Sequence, residues 1–478
     1  MLMTLIQKEI MHHVLSVRFV ALLLMCVLLI PTTLSINYRK YNQNLINYQE
    51  SVRQAGTEAK ENPPNAQDPN TEVSKLFLKP TPLSVFVNGL EDALPTYLGM
   101  TRNGVRQSST GFTQASVAYV LGNLDFLFIV GTIFSLLALL FTFDAVAGER
   151  EAGTLRINLS NPLPRDVFLW SKLIGGYIVF VIPFLVSFLL GLLLLTWQGF
   201  PLGEFEVAAP VFCLTLISLL YIAVFFAIGV VISTYLDNAK TALIVAFTFW
   251  VLAVLVAPRG AFIIAKLASP TRTQQAVYME KNTLRNNLTK DKEDKIGEKM
   301  AEAMAGGGSV NISLNDPGTQ KRLNDLRKPI EEQFRVTFQN QAGKIDRDYQ
   351  REKDRQEHVG ETLSRIAPTS SLTYIAMNLT QTGKLKRKLY FQTGERYYNQ
   401  LDESYFSGIS DDTLGQFMQL VNQMEDASES EEILPPPTLT EPSLSDTLRR
   451  SAADISLLCL FALAFTTVAF LKFFRSDI

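Results

Sequence analysis

Two apolar runs, residues 124–143 and 173–196, enclose the charged stretch DAVAGEREAGTLRINLSNPLPRDVFLWSK at positions 144–172. A helix needs about 20 apolar residues to cross the hydrocarbon of a bilayer, and each run is of that order. Once both flanks are spans, the stretch between them is confined to a short loop on one membrane face. Arg150, Arg156, Arg165 and Lys172 crowd into it, and short loops rich in Lys and Arg stay on the cytoplasmic side.

Inside this loop, Gly148-Glu149-Arg150-Glu151-Ala152-Gly153-Thr154-Leu155 reads as a short helix with acidic residues early, where carboxylates are favoured. Asn161-Pro162-Leu163-Pro164 then breaks it, because proline removes a donor and restricts the residue before it. A charged helical knob under a membrane domain suits docking of a soluble partner, with Glu149 and Glu151 available to basic groups. The same charges also fit a plain loop that only sets topology.

Further apolar runs at 17–36, 207–235, 239–257 and 455–471 bring the expected spans to six, so both termini share the cytoplasmic side, where Lys472 and Arg475 hold the carboxyl end. The fold class expected is an all-α membrane protein. Residues 1–16 place Leu2, Ile6, Ile10 and Val14 on one face of an amphipathic helix that lies in the interface and enters the first span at an elbow, or runs straight into it. The run after Lys8 and Arg18 is too long for a signal-peptide core and lacks a small-x-small cleavage site. Pro183 falls inside the third span, as a packing kink or a hinge.

Outside the spans the character changes. Hydrophobic residues make up 47% of the chain and mean hydropathy is +0.14, yet 19% of residues are charged, so two environments share it. Residues 37–123 and 258–450 are the extracytoplasmic parts, with a loop at 61–72 marked by Asn62-Pro63-Pro64 and Asp68-Pro69. Long helices are expected at 273–304 and 319–364, separated by Gly306-Gly307-Gly308. Leu326, Ile330, Phe334 and Phe338 form a packing stripe, and the charged run at 344–358 is a solvated face. Another helix at 384–406 carries Tyr390, Tyr397, Tyr398 and Phe406, suited to burial in a helical bundle. The acidic, proline-bearing stretch 428–442 is a stiff linker to the last span.

Several chemistries are not indicated. A net charge of -2 carries no polybasic signature, so no nucleic-acid partner is expected. Cys26, Cys213 and Cys459 lie in apolar runs, and His12, His13 and His358 form no HExxH, so neither a disulfide framework nor a metal site is expected. Gly383-Lys384 is followed by Leu385 where a phosphate loop has Ser or Thr, and no catalytic residues or cofactor are assigned to this chain.

The wording GEREAGTLRINLSNPLPRDVFLWSKLIGG at 148–176 resembles the ABC-2 type permeases of ABC transporters, in the subgroup with a large extracytoplasmic domain between spans five and six. Glu149, Arg150, Glu151, Thr154, Leu155, Arg165 and Lys172 carry the match, and the resemblance implies that they couple the chain to an ATPase. It further implies an amino-terminal elbow helix, a second permease, identical or homologous, and two separate ATPase subunits that hold ATP and Mg, all in a bacterial cytoplasmic (inner) membrane. The stretch SRIAPTSSLTYIAMNLTQTG at 364–383 resembles the membrane-proximal segment by which such permeases return from the outer domain. The function implied is ATP-driven export or extrusion of a hydrophobic or amphipathic substrate, consistent with spans nearly free of ionisable residues. The alternative is a mechanotransmitting subunit whose outer domain acts on a periplasmic or surface partner in gliding or assembly machinery.

Overall fold

The computed structural model describes residues 2–61, 71–102, 104–108, 124–160, 164–305, 317–406, 435–439 and 442–475. The expected loop at 62–70, the triglycine turn, residues 161–163 and the start of the acidic linker lie outside the described residues. The chain forms two compact units, one of Met1–Pro258, Arg365–Asp411 and Gln416–Ile478, the other mainly of Arg259–Ser364. Among the described residues, six helices are long and apolar enough to cross a membrane: Val17–Glu61, Phe126–Glu151, Arg165–Trp197, Phe205–Tyr235, Ala239–Ala268 and Leu444–Arg475.

In the first unit, α1 (Leu2–Val14) and α2 (Val17–Glu61) meet at an elbow. Ser16 Oγ donates to the His13 carbonyl at 2.6 Å and accepts the Phe19 N–H at 3.3 Å, so one serine closes α1 and caps α2. The stripe expected on α1 is displaced: Ile6 and Glu9 are buried, whereas Leu2 and Val14 are exposed. The α2 helix carries Pro31 within it and still continues far beyond position 36, because intrahelical hydrogen bonds do not depend on hydropathy and no proline falls between position 36 and Pro63. The end of the apolar run is therefore not the end of the helix.

Strands β1 (Ser74–Phe77), β2 (Tyr97–Thr101) and β3 (Gly104–Gln107) make an antiparallel sheet in the order β1-β2-β3, with Leu76 opposite Leu98 and Met100 opposite Val105. Asp125 then caps the second span, accepting the Phe128 N–H at 2.8 Å and the Asn88 N–H at 3.0 Å. Burial lifts this carboxyl to about 6, against the pull of those backbone hydrogen bonds.

The second span passes through a π-helical turn, Ile129–Phe134, into α3 (Ser135–Thr142). Two short helices follow, α4 (Ala147–Glu151) and α5 (Thr154–Ser160), then α6 (Arg165–Trp197) and α7 (Phe205–Tyr235). Next comes α8 (Ala239–Trp250), which runs through a second π-helical turn, Val251–Val256, into α9 (Ala257–Ala268). Phe126 and Phe134 interleave with Phe180, Phe184 and Phe188, with ring centroids 4.9 Å apart for Phe126–Phe188 and 5.1 Å for Phe134–Phe184. Two large polar side chains in this apolar core are paired. Tyr221 Oη donates to the Gly131 carbonyl at 2.7 Å, and Trp250 Nε1 donates to Ser135 Oγ at 2.9 Å.

The returning chain forms α12 (Pro368–Leu379), whose Leu372, Ile375, Ala376 and Leu379 are buried in the core of the spans. Thr369 Oγ1 lies 3.0 Å from Tyr221 Oη, and Arg365 grips Asp454 of the last span through bonds of 2.6 and 3.1 Å. The helix expected at 384–406 is α13 (Lys384–Ser404), but its rings do not enter a helical bundle. Tyr390, Tyr397 and Leu401 pack on the sheet with Leu76 and Leu98, and the buried hydroxyls are satisfied by the Leu76 carbonyl and Ser74 Oγ. Strands of four or five residues are too short to register as a period, which is why the sheet went unread. The last span is α14 (Leu444–Arg475).

The second unit holds α10 (Gln274–Ala305) and α11 (Pro317–Ser364) as an antiparallel hairpin, tied by Arg272–Glu352 at 3.1 Å and Lys281–Asp346 at 2.5 Å. Phe334 and Phe338 stack at 6.4 Å on its inner stripe, as their spacing implied.

Replacing Asp125 with Ala removes the cap and both backbone acceptances. The expected loss is about 1–2 kcal/mol, read as a lower unfolding midpoint in detergent.

Candidate functional site

The charged loop folds into α4 and α5, joined at Gly153, whose φ of +70° is the left-handed conformation that a residue without Cβ adopts freely. Buried Ser233 of α7 accepts the N–H groups of Val146 and Ala147 at 2.9 and 3.0 Å, holding the start of α4 against the bundle. Leu155 is buried with Val146, Phe168, Leu169, Val230 and Phe473, which places α5 under both α6 and α14.

Each expected site residue has a defined post. Lys172 of α6, only 9% exposed, ion-pairs with Glu9 of α1 at 3.0 Å and closely with Glu149 of α4. Glu149 also accepts from Asn158 Nδ2 at 3.0 Å, and its carbonyl accepts from Thr154 Oγ1 at 3.2 Å. Arg150 pairs with Asp237 at 2.7 Å in the turn between α7 and α8. Glu151 accepts the Ala239 N–H at 2.9 Å at the first turn of α8, where a carboxylate faces the positive end of the helix. Arg165 donates to the Phe474 carbonyl at 3.0 Å.

These contacts distinguish the two acidic residues of α4. Glu149 is turned inward to Lys172 and Asn158, whereas Glu151 accepts one N–H and stays exposed. The element exposes Glu151, Ala152, Gly153, Thr154, Arg156 and Ile157, the last 67% accessible although apolar. The sequence reading missed Glu9, His13, Ser233 and Asp237. For Glu9 a signal was present: it is the single acidic residue of α1, although Lys172, the cation it meets, is far away in sequence.

The family model described as "ABC-2 family transporter protein" matches residues 3–478. The chain belongs to that family. It is therefore an integral membrane protein and the membrane subunit of an ABC transporter, a transport subunit by family. It is also similar to "Probable ABC transporter permease protein NosY" of Stutzerimonas stutzeri, with 35% identity over 124 residues, 25% of this chain and 44% of that relative. The chain thus spans less than half the length of the curated relative it matches.

In the permease, α1 lies directly on α6. A Cβ built at Gly175, one turn beyond Lys172, would stand 2.8 Å from Glu9 Cβ, so glycine there permits the close approach that brings Glu9 to Lys172. His13 sits beside them, with Nε2 3.9 Å from Glu9 Oε2 and its ring 5.2 Å from Phe141. Burial holds its imidazole below the ordinary 6.5, outweighing the opposing pull of Glu9.

Two outcomes follow. Lys172→Ala leaves the buried Glu9 and the half-buried Glu149 without their shared cation and is expected to cost about 3 kcal/mol in the stability of the detergent-purified permease. His13 is neutral in the folded state below the pH at which the unfolded chain takes up a proton. Its contribution is therefore whole above 6.5 and is lost as pH falls below it. Asp125 acts oppositely, since its raised carboxyl favours the folded state as pH falls through about 6. Acidification from about 7.5 to about 5.5 should thus destabilise the wild type more than His13→Leu, in paired thermal melts.

Proposed function

We propose that the permease transmits the closure of separate ATPase subunits, docked on α4 and α5, to its spans, and so exports a hydrophobic or amphipathic substrate. The observation that carries this reading is the way the exposed element is clamped. Lys172 ties α4 to α1 and α6, Ser233 ties it to α7, Glu151 to α8, and the Leu155 cluster ties α5 to α14. A push on so many helices through one element moves them together. Family membership supports a second permease, and ATP and Mg belong to the ATPase partner in this reading, with a bacterial cytoplasmic membrane as the site of action.

Arg156 and Ile157 are the residues that meet the ATPase, one by charge and one by apolar contact. Glu149, Arg150, Glu151, Thr154, Leu155, Arg165 and Lys172 act behind them as the frame that couples docking to the bundle. A second reading, a mechanotransmitter acting on an extracytoplasmic partner, draws support from the hairpin, since α11 alone runs for 48 residues, about 70 Å of helix.

The double variant Arg156→Glu/Ile157→Asp should insert and fold normally while permease-dependent ATP hydrolysis by the co-purifying ATPase falls at least about tenfold. Hydrolysis and co-purification equal to wild type would overturn the docking assignment. Stimulation of hydrolysis by candidate amphiphiles in proteoliposomes separates export from mechanotransmission.

A further inference from the structure

At the sheet end of the first unit, a cavity of about 890 Å³ lies between the polar end of α2, strand β1 and the segment 435–439. Its volume is in the range of pockets that hold ligands. One wall is the edge of the sheet, because among the described residues β1 pairs only with β2.

The hydrogen-bonding direction along that edge follows from the register. Tyr97 turns its main chain toward β3: its carbonyl accepts the Ser108 N–H at 3.1 Å and its N–H donates to Ser108 Oγ at 3.1 Å. Alternation then turns Leu98 and Met100 toward β1, where Leu76 and Ser74 stand opposite, and the Leu78 N–H continues that set by donating to the Thr96 carbonyl at 2.9 Å. The main-chain groups of Lys75 and Phe77 therefore point away from the sheet, along the cavity wall. Nothing across the cavity meets them among the described residues. Pro435, Pro436 and Pro437 have no N–H to donate, and α2 uses its own main chain internally.

The opposite wall is built from Val52, Ala55, Gly56 and Ala59, successive on one face of α2 and small enough to leave room for side chains entering from a strand. Around the rim, Lys75, Lys79 and Lys386 face Glu58 and Glu72. Lys386 is taken by Glu91 at 2.9 Å and Lys75 reaches its two glutamates only at 3.9 and 4.0 Å, while Lys79 is exposed.

We propose that this cavity binds an extended polypeptide segment carrying an acidic residue or a free carboxyl end, which adds to β1 as a further strand. Main-chain groups of the segment pair with Lys75 and Phe77, its alternate side chains enter between β1 and α2, and its negative charge meets Lys79. An acyl chain of the same size would leave the strand edge without partners, which is why a peptide is favoured over a lipid. This site lies apart from the α4–α5 docking element and does not depend on the reading given above.

The test uses the full chain in nanodiscs and a synthetic probe, a blocked peptide of alternating valine and threonine ending in aspartate, with a copy N-methylated at alternate positions as control. Hydrogen exchange at Lys75 and Phe77 should be fast without probe and slowed at least about tenfold by the unmethylated peptide alone. Ala55→Trp, which fills the cavity from α2 without touching the sheet, should abolish that protection. If the edge amides stay unprotected at millimolar probe, the proposal fails. Equal protection by the methylated copy or by a fatty acid would mean an apolar-chain site instead. Slow exchange before any probe is added would mean that a second copy of the chain already covers the edge.

Discussion

Lys172 is the residue on which the loop end of the permease depends. A lysine that is almost wholly buried is tolerable only when its charge is matched, and here it is matched by two carboxylates from helices on either side of it. Glu9 and Glu149 carry like charges held together by Lys172 between them, so removing the cation converts a clamp into a wedge. The interaction therefore specifies an arrangement more than it adds stability. It states which face of α1 lies down and at what height α4 sits.

That arrangement explains why so small an element suits the transmission of force. The α4 and α5 helices are short and on their own would not be stable, since most helical stability in proteins comes from packing of one face. Their order is borrowed from the bundle through Ser233, Lys172, the Ala239 N–H and the Leu155 cluster. In return the bundle receives contacts at α6, α7, α8 and α14 from a single exposed knob, and at α1 through Lys172.

Within the spans, different chemistry does the same work of specifying neighbours. Apolar packing alone does not distinguish one helix face from another in lipid, whereas a hydroxyl that must find an acceptor does. Tyr221 and Trp250 meet Gly131 and Ser135 in and beside the π-helical turn of the second span, and Thr369 brings α12 to the same place. Arg365 and Asp454 repeat the device with charge between the returning chain and the last span.

How much of this the sequence determined by itself can be read from particular residues. Hydropathy is additive along a chain, so the six apolar helices, the charged loop between the second and third of them, and the hairpin stripe through Phe334 and Phe338 were legible. So was the family, because the wording around Glu149 and Lys172 is local. Tertiary structure alone decided which groups those residues meet. Glu149 reads as a surface acid until α6 and α1 are placed beside it, and Glu9 lies far from Lys172 in sequence, so no local pattern joins them. The aromatic residues of α13 likewise announce burial without naming the partner, which proved to be a sheet whose strands are too short to carry a period. Ion pairs and strand edges are set by distances in space, and a linear pattern carries those only when the partners are neighbours in sequence.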